Sequence, residues 1–127
     1  MIPERYAPQT YALMRVVFGL MFLTYGLVKF GVLGDRPAVP FLSWPFGIAA
    51  VIEVVAGTLI ALGLLTRPAA FIASGQMAAA YFMSHQPNGV LPVLNNGIPP
   101  VLFCFAFLHM AARGSGIWSV DATRGGR

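Results

Sequence analysis

Charged residues are scarce in this chain of 127 residues, at 9% of the composition, whereas hydrophobic residues make up 57%. Soluble domains carry about 25% charged residues, and disordered chains combine few apolar residues with a high net charge. The composition therefore argues against a soluble globule and excludes a disordered chain. A mean hydropathy of +0.75 indicates a membrane protein instead.

Cysteine is present only as Cys104, so an internal disulfide, a Cys-x-x-Cys dithiol and a zinc finger are excluded. The chain also has no glycine-rich nucleotide motif, no His-Glu-x-x-His helix and no Ser-His-Asp set. His85 and His109 are predicted at opposite depths of the membrane, so one haem or metal ion cannot bind both. We expect no catalytic residue, no metal site and no intrinsic cofactor.

Basic residues are spaced singly along an apolar chain, although the net charge is +4. This spacing gives no basic stripe for nucleic acid, so we expect the cations to set membrane orientation. Four spans place both termini and the turn at 66–68 on one face. The positive-inside rule puts that face in the cytoplasm, since it collects six of the eight cations, namely Arg5, Arg15, Arg67, Arg113, Arg124 and Arg127. Arg15 is expected at the lipid head groups.

Turn residues divide the apolar stretches into candidate spans, each of which needs about 20 residues to cross a bilayer. Glycine and proline interrupt the pattern at 34–37, at 66–68, at 86–89 and at 95–100. We predict an all-α, integral membrane four-helix bundle with both termini cytoplasmic. It forms a single domain over 1–127, with spans at about 11–33, 45–65, 68–85 and 96–112.

Polar residues inside these spans mark the candidate site, because each costs a few kcal/mol unless it faces protein or water. Glu53 is predicted near the midplane, about 12 Å deep. Lys29 lies near the outer end of the first span, and its long stem brings the ammonium within reach of Glu53. Gln76 is predicted near mid-depth, Tyr25 in the outer half and His85 at the outer end of the third span. These five residues form the predicted site.

Small residues accompany the charges on the first span. Gly19 and Gly26 lie on the same stripe as Lys29, and glycines let membrane helices approach closely. We expect this stripe to meet Glu53 and Gly57 of the second span. A buried glutamate beside a cation also serves to set helix register, so a structural cluster and a binding or proton-relay site both stay open.

Four sequence segments in chain order resemble those of a known family. They are LMRVVFGLMFLTYGLVKF at 13–30, IEVVAGTLIALGLLTRPAA at 52–70, the set Met77, Ala80, Tyr81 and His85, and GSGIWSVD at 114–121. Together they resemble the DoxX family of small four-helix prokaryotic membrane proteins. One departure is Ile98 after the turn at 95–97, where that family commonly has an acidic residue.

This resemblance implies a role in membrane oxidoreductase systems, which include thiosulfate:quinone oxidoreductases and complexes linked to thiol and superoxide stress. For this chain it implies a non-catalytic membrane subunit or anchor in the prokaryotic inner membrane, with a redox partner protein and a quinone as cofactor. Glu53 and Lys29 would then hold the quinone head group or relay its protons, with Gln76 and Tyr25 adding hydrogen bonds. The bilayer is the surrounding partner, and a homodimer is compatible with the apolar surface.

Two other functions stay open at this point. A lone membrane glutamate in a small four-helix protein is also typical of proton-coupled transporters, in which Glu53 would carry the proton. A purely structural membrane scaffold is the third reading, in which the charges only hold the helices together.

Overall fold

The chain folds into helices joined by turns. A computed structural model describes residues 1–125, and no strand is present in that range. The α-helices are α1 (Ala7–Lys29), α2 (Phe46–Leu62), α3 (Thr66–Ala80), α4 (Pro92–Asn95), α5 (Ile98–Arg113) and α6 (Val120–Thr123). A π-helical turn, Tyr81–His85, continues α3. The all-α class is confirmed. Arg127, one of the six cations used to predict the orientation, lies outside the described residues.

The helix ends differ from the predicted spans by a few residues. α1 ends at Lys29 and not at 33, because Gly31 and Gly34 take left-handed conformations with φ of 76°. α2 ends where Gly63 turns left-handed, with φ of 73°. Prolines stand in the first turn of α5, where a missing N–H is tolerated.

One helical segment of the described residues, Glu4–Lys29, is both long and apolar enough to cross a membrane by length and composition. The helices Phe46–Leu62 and Ile98–Arg113 are apolar but shorter.

The four longer helices run antiparallel to their chain neighbours, so their ends form two groups. Tyr11 of α1 donates to the carbonyl of Gly114 at 2.6 Å, and Arg67 of α3 donates to the carbonyl of Ala111 at 3.2 Å. These contacts join the start of α1 and the start of α3 to the end of α5. We call this group the termini end (5–15, 60–67 and 109–124) and the opposite group the cavity end (25–53 and 76–100).

Aromatic rings fill the centre between α1 and α5. Phe22 and Phe107 are fully buried, and their ring centroids lie 4.9 Å apart in an edge-to-face arrangement. Phe103 stacks on Phe107 at 5.5 Å. Each buried ring contributes about 2 to 3 kcal/mol, so this cluster is a main source of packing energy between the two helices.

Glycines allow the backbones of α1 and α2 to touch. A Cβ atom added at Gly19 would lie 2.5 Å from the backbone nitrogen of Ala61, and one added at Gly57 would lie 2.6 Å from that of Leu23. Neither distance leaves room for a methyl group. The predicted contact between the glycine stripe of α1 and α2 is therefore confirmed.

Arg15 is fully buried, so the expectation that it lies at the lipid head groups is wrong. Its Nε donates to the carbonyl of Ile60 at 3.0 Å. Its Nη1 donates to the carbonyls of Ser115 at 2.6 Å and Ile117 at 3.0 Å, and its Nη2 to that of Trp118 at 2.7 Å. The segment after α5 folds over the guanidinium and supplies acceptors that replace head groups or water.

Asp121 completes this closure of the termini end. Its carboxylate accepts a hydrogen bond from the hydroxyl of Ser115 at 2.6 Å and one from the backbone nitrogen of Leu65 at 3.0 Å. The hydroxyl of Thr66 lies 2.8 Å from that of Ser115. The turn between α2 and α3 is thus bonded to the chain that follows α5.

We predict that Gly19→Ala destabilises the protein by about 1 to 3 kcal/mol, because the added methyl group forces α1 away from α2. Gly75→Ala is the matched control, since a Cβ there meets nothing within 4 Å and alanine favours the helix. Thermal unfolding followed by circular dichroism in detergent measures both. Equal melting temperatures for the two variants would contradict the close packing of α1 on α2.

We also predict that Arg15→Lys lowers the free energy of unfolding by about 2 to 3 kcal/mol. An ammonium has three N–H donors on one atom and cannot reach the carbonyls that the five-donor guanidinium fork serves. Arg36→Lys, at an exposed position, is the control and should change the melting temperature little. If lysine proved as good as arginine at position 15, the hydrogen-bond network would not be the source of stability.

Candidate functional site

A cavity of about 510 Å³ lies at the cavity end between α2 and α3. Its walls come mainly from the first half of α2, from the second half of α3 with its π turn, and from the start of α5. The lining is predominantly apolar. The cavity opens to the molecular surface, since four of its lining side chains are about half exposed or more, namely Trp44, Phe46, Ile72 and Met83.

All five residues of the predicted site line this one cavity. Tyr25 and Lys29 come from α1, Glu53 from α2, Gln76 from α3 and His85 from the π turn. Residues more than fifty positions apart in the chain are thus brought together by helix packing. Their role toward a ligand stays a prediction.

An ion pair lies among these five residues. The Lys29 Nζ lies 2.8 Å from Oε1 and 3.0 Å from Oε2 of Glu53, so the predicted contact between the two residues is confirmed. The Glu53 side chain is 1% exposed, whereas that of Lys29 is 26% exposed. The Lys29 ammonium contacts both carboxylate oxygens of Glu53, and this holds it directly against α2.

Gln76 and Tyr25 complete the surroundings of the ion pair. The Nε2 of Gln76 donates to Oε2 of Glu53 at 3.4 Å, while Oε1 of Gln76 is buried with no hydrogen-bond partner. An unpaired buried acceptor costs about 1 to 3 kcal/mol. The Lys29 ammonium also lies 5.7 Å from the ring centre of Tyr25, within the range of a cation–π contact. Unused hydrogen-bonding capacity therefore remains beside the ion pair.

His85 lies at the end of the cavity nearest the α3–α5 connection. Its Nδ1 is 3.0 Å from the backbone carbonyl of Asn95, and its ring is parallel to that of Tyr81 at 6.4 Å. Because a carbonyl can only accept, the neutral imidazole carries its hydrogen on Nδ1. The Nε2 atom is then the nitrogen available to a ligand.

Asn95 holds His85 in place, although the sequence pattern indicates it only as part of a turn. Its side chain is buried, donates to the carbonyl of Gly89 at 2.9 Å and accepts from the backbone nitrogen of Gly97 at 2.8 Å. It thereby holds the connection that orients His85. The pair Asn95-Asn96 before glycine was the available signal, and it is equally typical of an ordinary turn.

His109 and Cys104, the other histidine and the single cysteine, do not line the cavity. His109 packs edge-on against Tyr11, with ring centroids 5.9 Å apart, so it lies at the termini end, opposite His85 as predicted. Cys104 lies near the hydroxyl of Ser74 at 3.5 Å. Over residues 1–125, no group of three or more His, Cys, Asp or Glu side chains is arranged to hold a metal ion.

Comparison with known proteins decides the family, because the DoxX sequence profile matches residues 10–86. The chain belongs to the DoxX family. All five predicted site residues fall within the matched range, which ends before α5.

Two relatives of this DoxX-family chain cover nearly its whole length. An uncharacterized protein of Haemophilus influenzae is 38% identical over 128 residues, covering 93% of this chain and 92% of the relative. A protein of Mycobacterium tuberculosis, named as an uncharacterized membrane protein, is 30% identical over 131 residues, covering 90% and 80%. No solved structure matches the chain. The family and the mycobacterial relative's name support a membrane location.

We predict that Lys29→Met destabilises the protein by about 2 kcal/mol, because it leaves the buried carboxyl of Glu53 without its cation. The value is below that of a fully buried pair since Lys29 is partly exposed. The double variant Lys29→Met with Glu53→Gln should recover part of that loss, because no charge is then left unpaired. Thermal unfolding of the unmodified protein, the two single variants and the double variant gives a double-mutant cycle, which measures the coupling between Lys29 and Glu53. Strictly additive effects would show that the ion pair contributes no coupling.

Proposed function

We propose that this DoxX-family chain is a membrane subunit of an oxidoreductase and that its cavity holds the head group of a quinone. The observation that supports this proposal most strongly is the polar cluster of Lys29, Glu53 and Gln76 on the wall of a cavity that is predominantly apolar and open to the surface. Ligand sites of about 300 to 1,000 Å³ typically combine apolar walls with a few polar groups. This cavity has that composition and size.

We further propose that the chain crosses the inner membrane four times. α1 has 23 residues and α2 has 17, which correspond to about 35 Å and about 26 Å of helix. α3 with its π turn and α5 are of similar length to these. Spans shorter than the hydrocarbon core of about 30 Å are accommodated by local thinning of the bilayer and by flanking polar residues.

The charges of the two ends support cytoplasmic termini. Arg15 bonds only to carbonyls in the interior, and Lys29 is neutralised by Glu53, so neither orients the protein. The remaining cations of the described residues are Arg36 at the cavity end and, at the termini end, Arg5, Arg67, Arg113 and Arg124. This distribution favours the termini end on the cytoplasmic side.

The residues present fit a quinone in two respects. Lys29 uses two N–H groups on Glu53 and has a third to donate to a carbonyl oxygen. The apolar opening beside Phe46, Ile72 and Met83 would face the hydrocarbon and let an isoprenoid tail leave the cavity. A bound quinone would supply two-electron redox chemistry that the side chains lack. The electron donor is then a partner protein.

The ion pair weighs against the proton-coupled transporter. Such a transporter needs a carboxylate that is free to exchange a proton for a cargo cation. Glu53 is instead bonded through both oxygens to Lys29 and, through one, to Gln76. A fixed cation that already occupies the carboxylate leaves no place for a cationic cargo.

We predict that the protein purified from its native membrane in lipid particles retains quinone, measured by chromatography of the extracted lipids. Ala49→Phe, which fills the cavity wall, should lower the bound quinone about ten-fold. Ala112→Phe introduces the same side chain at an exposed position of α5 and is the matched control. In membranes that contain the partner, Glu53→Gln should lower quinone-linked activity while the complex still assembles.

Absence of quinone from the unmodified protein would contradict the proposal. Proton-driven uptake in proteoliposomes that disappears in Glu53→Gln would establish the transporter in its place. A Glu53→Gln variant altered only in melting temperature would point to the scaffold.

A further inference from the structure

We propose that His85 accepts a hydrogen bond from a hydroxyl group of the ligand, so that the cavity binds the reduced quinol in preference to the quinone. This inference rests on the proposed function and names the form of the ligand that the side chains favour. It depends on which hydrogen-bonding atoms of the cavity are already engaged.

The connection between the π turn and α5 determines the hydrogen position on His85. The Asn95 carbonyl lies 3.0 Å from Nδ1 and can only accept, so Nδ1 carries the hydrogen of the neutral ring. The Nε2 atom then has a lone pair and no hydrogen. A quinone carbonyl, which also has only lone pairs, cannot bond to it, whereas a quinol hydroxyl can donate to it.

The contacts of Asn95 keep its carbonyl beside His85 and so keep the hydrogen on Nδ1. The Asn95 side chain is buried and bonds to both Gly89 and Gly97, and its Nδ2 also donates to the hydroxyl of Tyr81 at 3.2 Å. Rotation of the Asn95 carbonyl away from His85 would break these contacts. Asn95 is therefore a positioning residue for His85.

The groups near the ion pair are also richer in acceptors than in donors. Lys29 has one N–H left after its two bonds to Glu53. The Glu53 carboxylate retains unused lone pairs, and Oε1 of Gln76 has no donor. A quinol hydroxyl that reached one of these buried acceptors would donate to it and accept from Lys29 at the same time, whereas a quinone oxygen can only accept.

The test measures binding of a short-chain benzoquinone and of the matching hydroquinone to the full-length protein in lipid nanodiscs. Isothermal titration calorimetry under argon keeps the hydroquinone from being oxidised during the measurement. We expect the hydroquinone to bind about ten-fold more tightly, as one or two additional hydrogen bonds allow. The ratio of the two affinities in the unmodified protein tests the preference for the quinol directly, without any variant.

Three variants then test the assignment of His85. His85→Phe keeps an aromatic ring beside Tyr81 and removes only this acceptor, so the ratio should fall several-fold through weaker hydroquinone binding alone. His85→Gln restores an acceptor and should recover part of the ratio. His109→Phe, made at the histidine outside the cavity, should leave the ratio unchanged, and circular dichroism checks that each variant is folded.

Each outcome bears on one proposal or the other. Equal or tighter binding of the oxidised form by the unmodified protein overturns this inference and leaves the proposed function standing. Failure of both forms to bind overturns the proposed function and the inference with it. A folded His85→Phe protein that keeps the full ratio overturns the role of His85.

Discussion

The close approach of α1 to α2 is the constraint on which the rest of the structure depends. Gly19 and Gly57 leave no space for a Cβ atom between the two backbones, and the same packing brings Lys29 across from Glu53 at 2.8 Å. Larger residues at the glycines would separate the helices and leave the carboxyl of Glu53 buried without its cation. Backbone contact and ion pairing therefore depend on each other along one helix interface.

The two ends of the molecule differ in how fully their polar groups are satisfied. At the termini end, every nitrogen of the Arg15 guanidinium donates to a backbone carbonyl, so that group has no capacity left for a ligand and serves structure. At the cavity end, Lys29 has an N–H to spare and Gln76 has an unpaired oxygen. Unsatisfied groups beside an open, apolar cavity are the physical reason for locating the site there.

The predicted depth of polar residues in the apolar segments was enough to select side chains that line one cavity. Glu53, Lys29 and Gln76 were selected because polar groups are costly in hydrocarbon, and the structure brings them to one cavity. Depth alone does not predict the place of Arg15, three of whose acceptors come from about 100 positions away in the chain. Asn95 is also not predicted, since nothing local separates a buried, fully bonded asparagine from an exposed turn residue.

The sequence by itself determined the all-α class, the approximate limits of the long helices, the family and the residues too polar for their surroundings. The class, the helix limits and the polar residues follow from composition, from hydrophobic periodicity and from glycine and proline positions, all of which act locally. The family follows from the resemblance of four segments of the sequence. Only the tertiary structure decided which polar groups have partners, where the cavity lies and which nitrogen of His85 bonds to the Asn95 carbonyl. Hydrogen bonds between distant segments depend on how whole helices pack, and no local pattern carries that information.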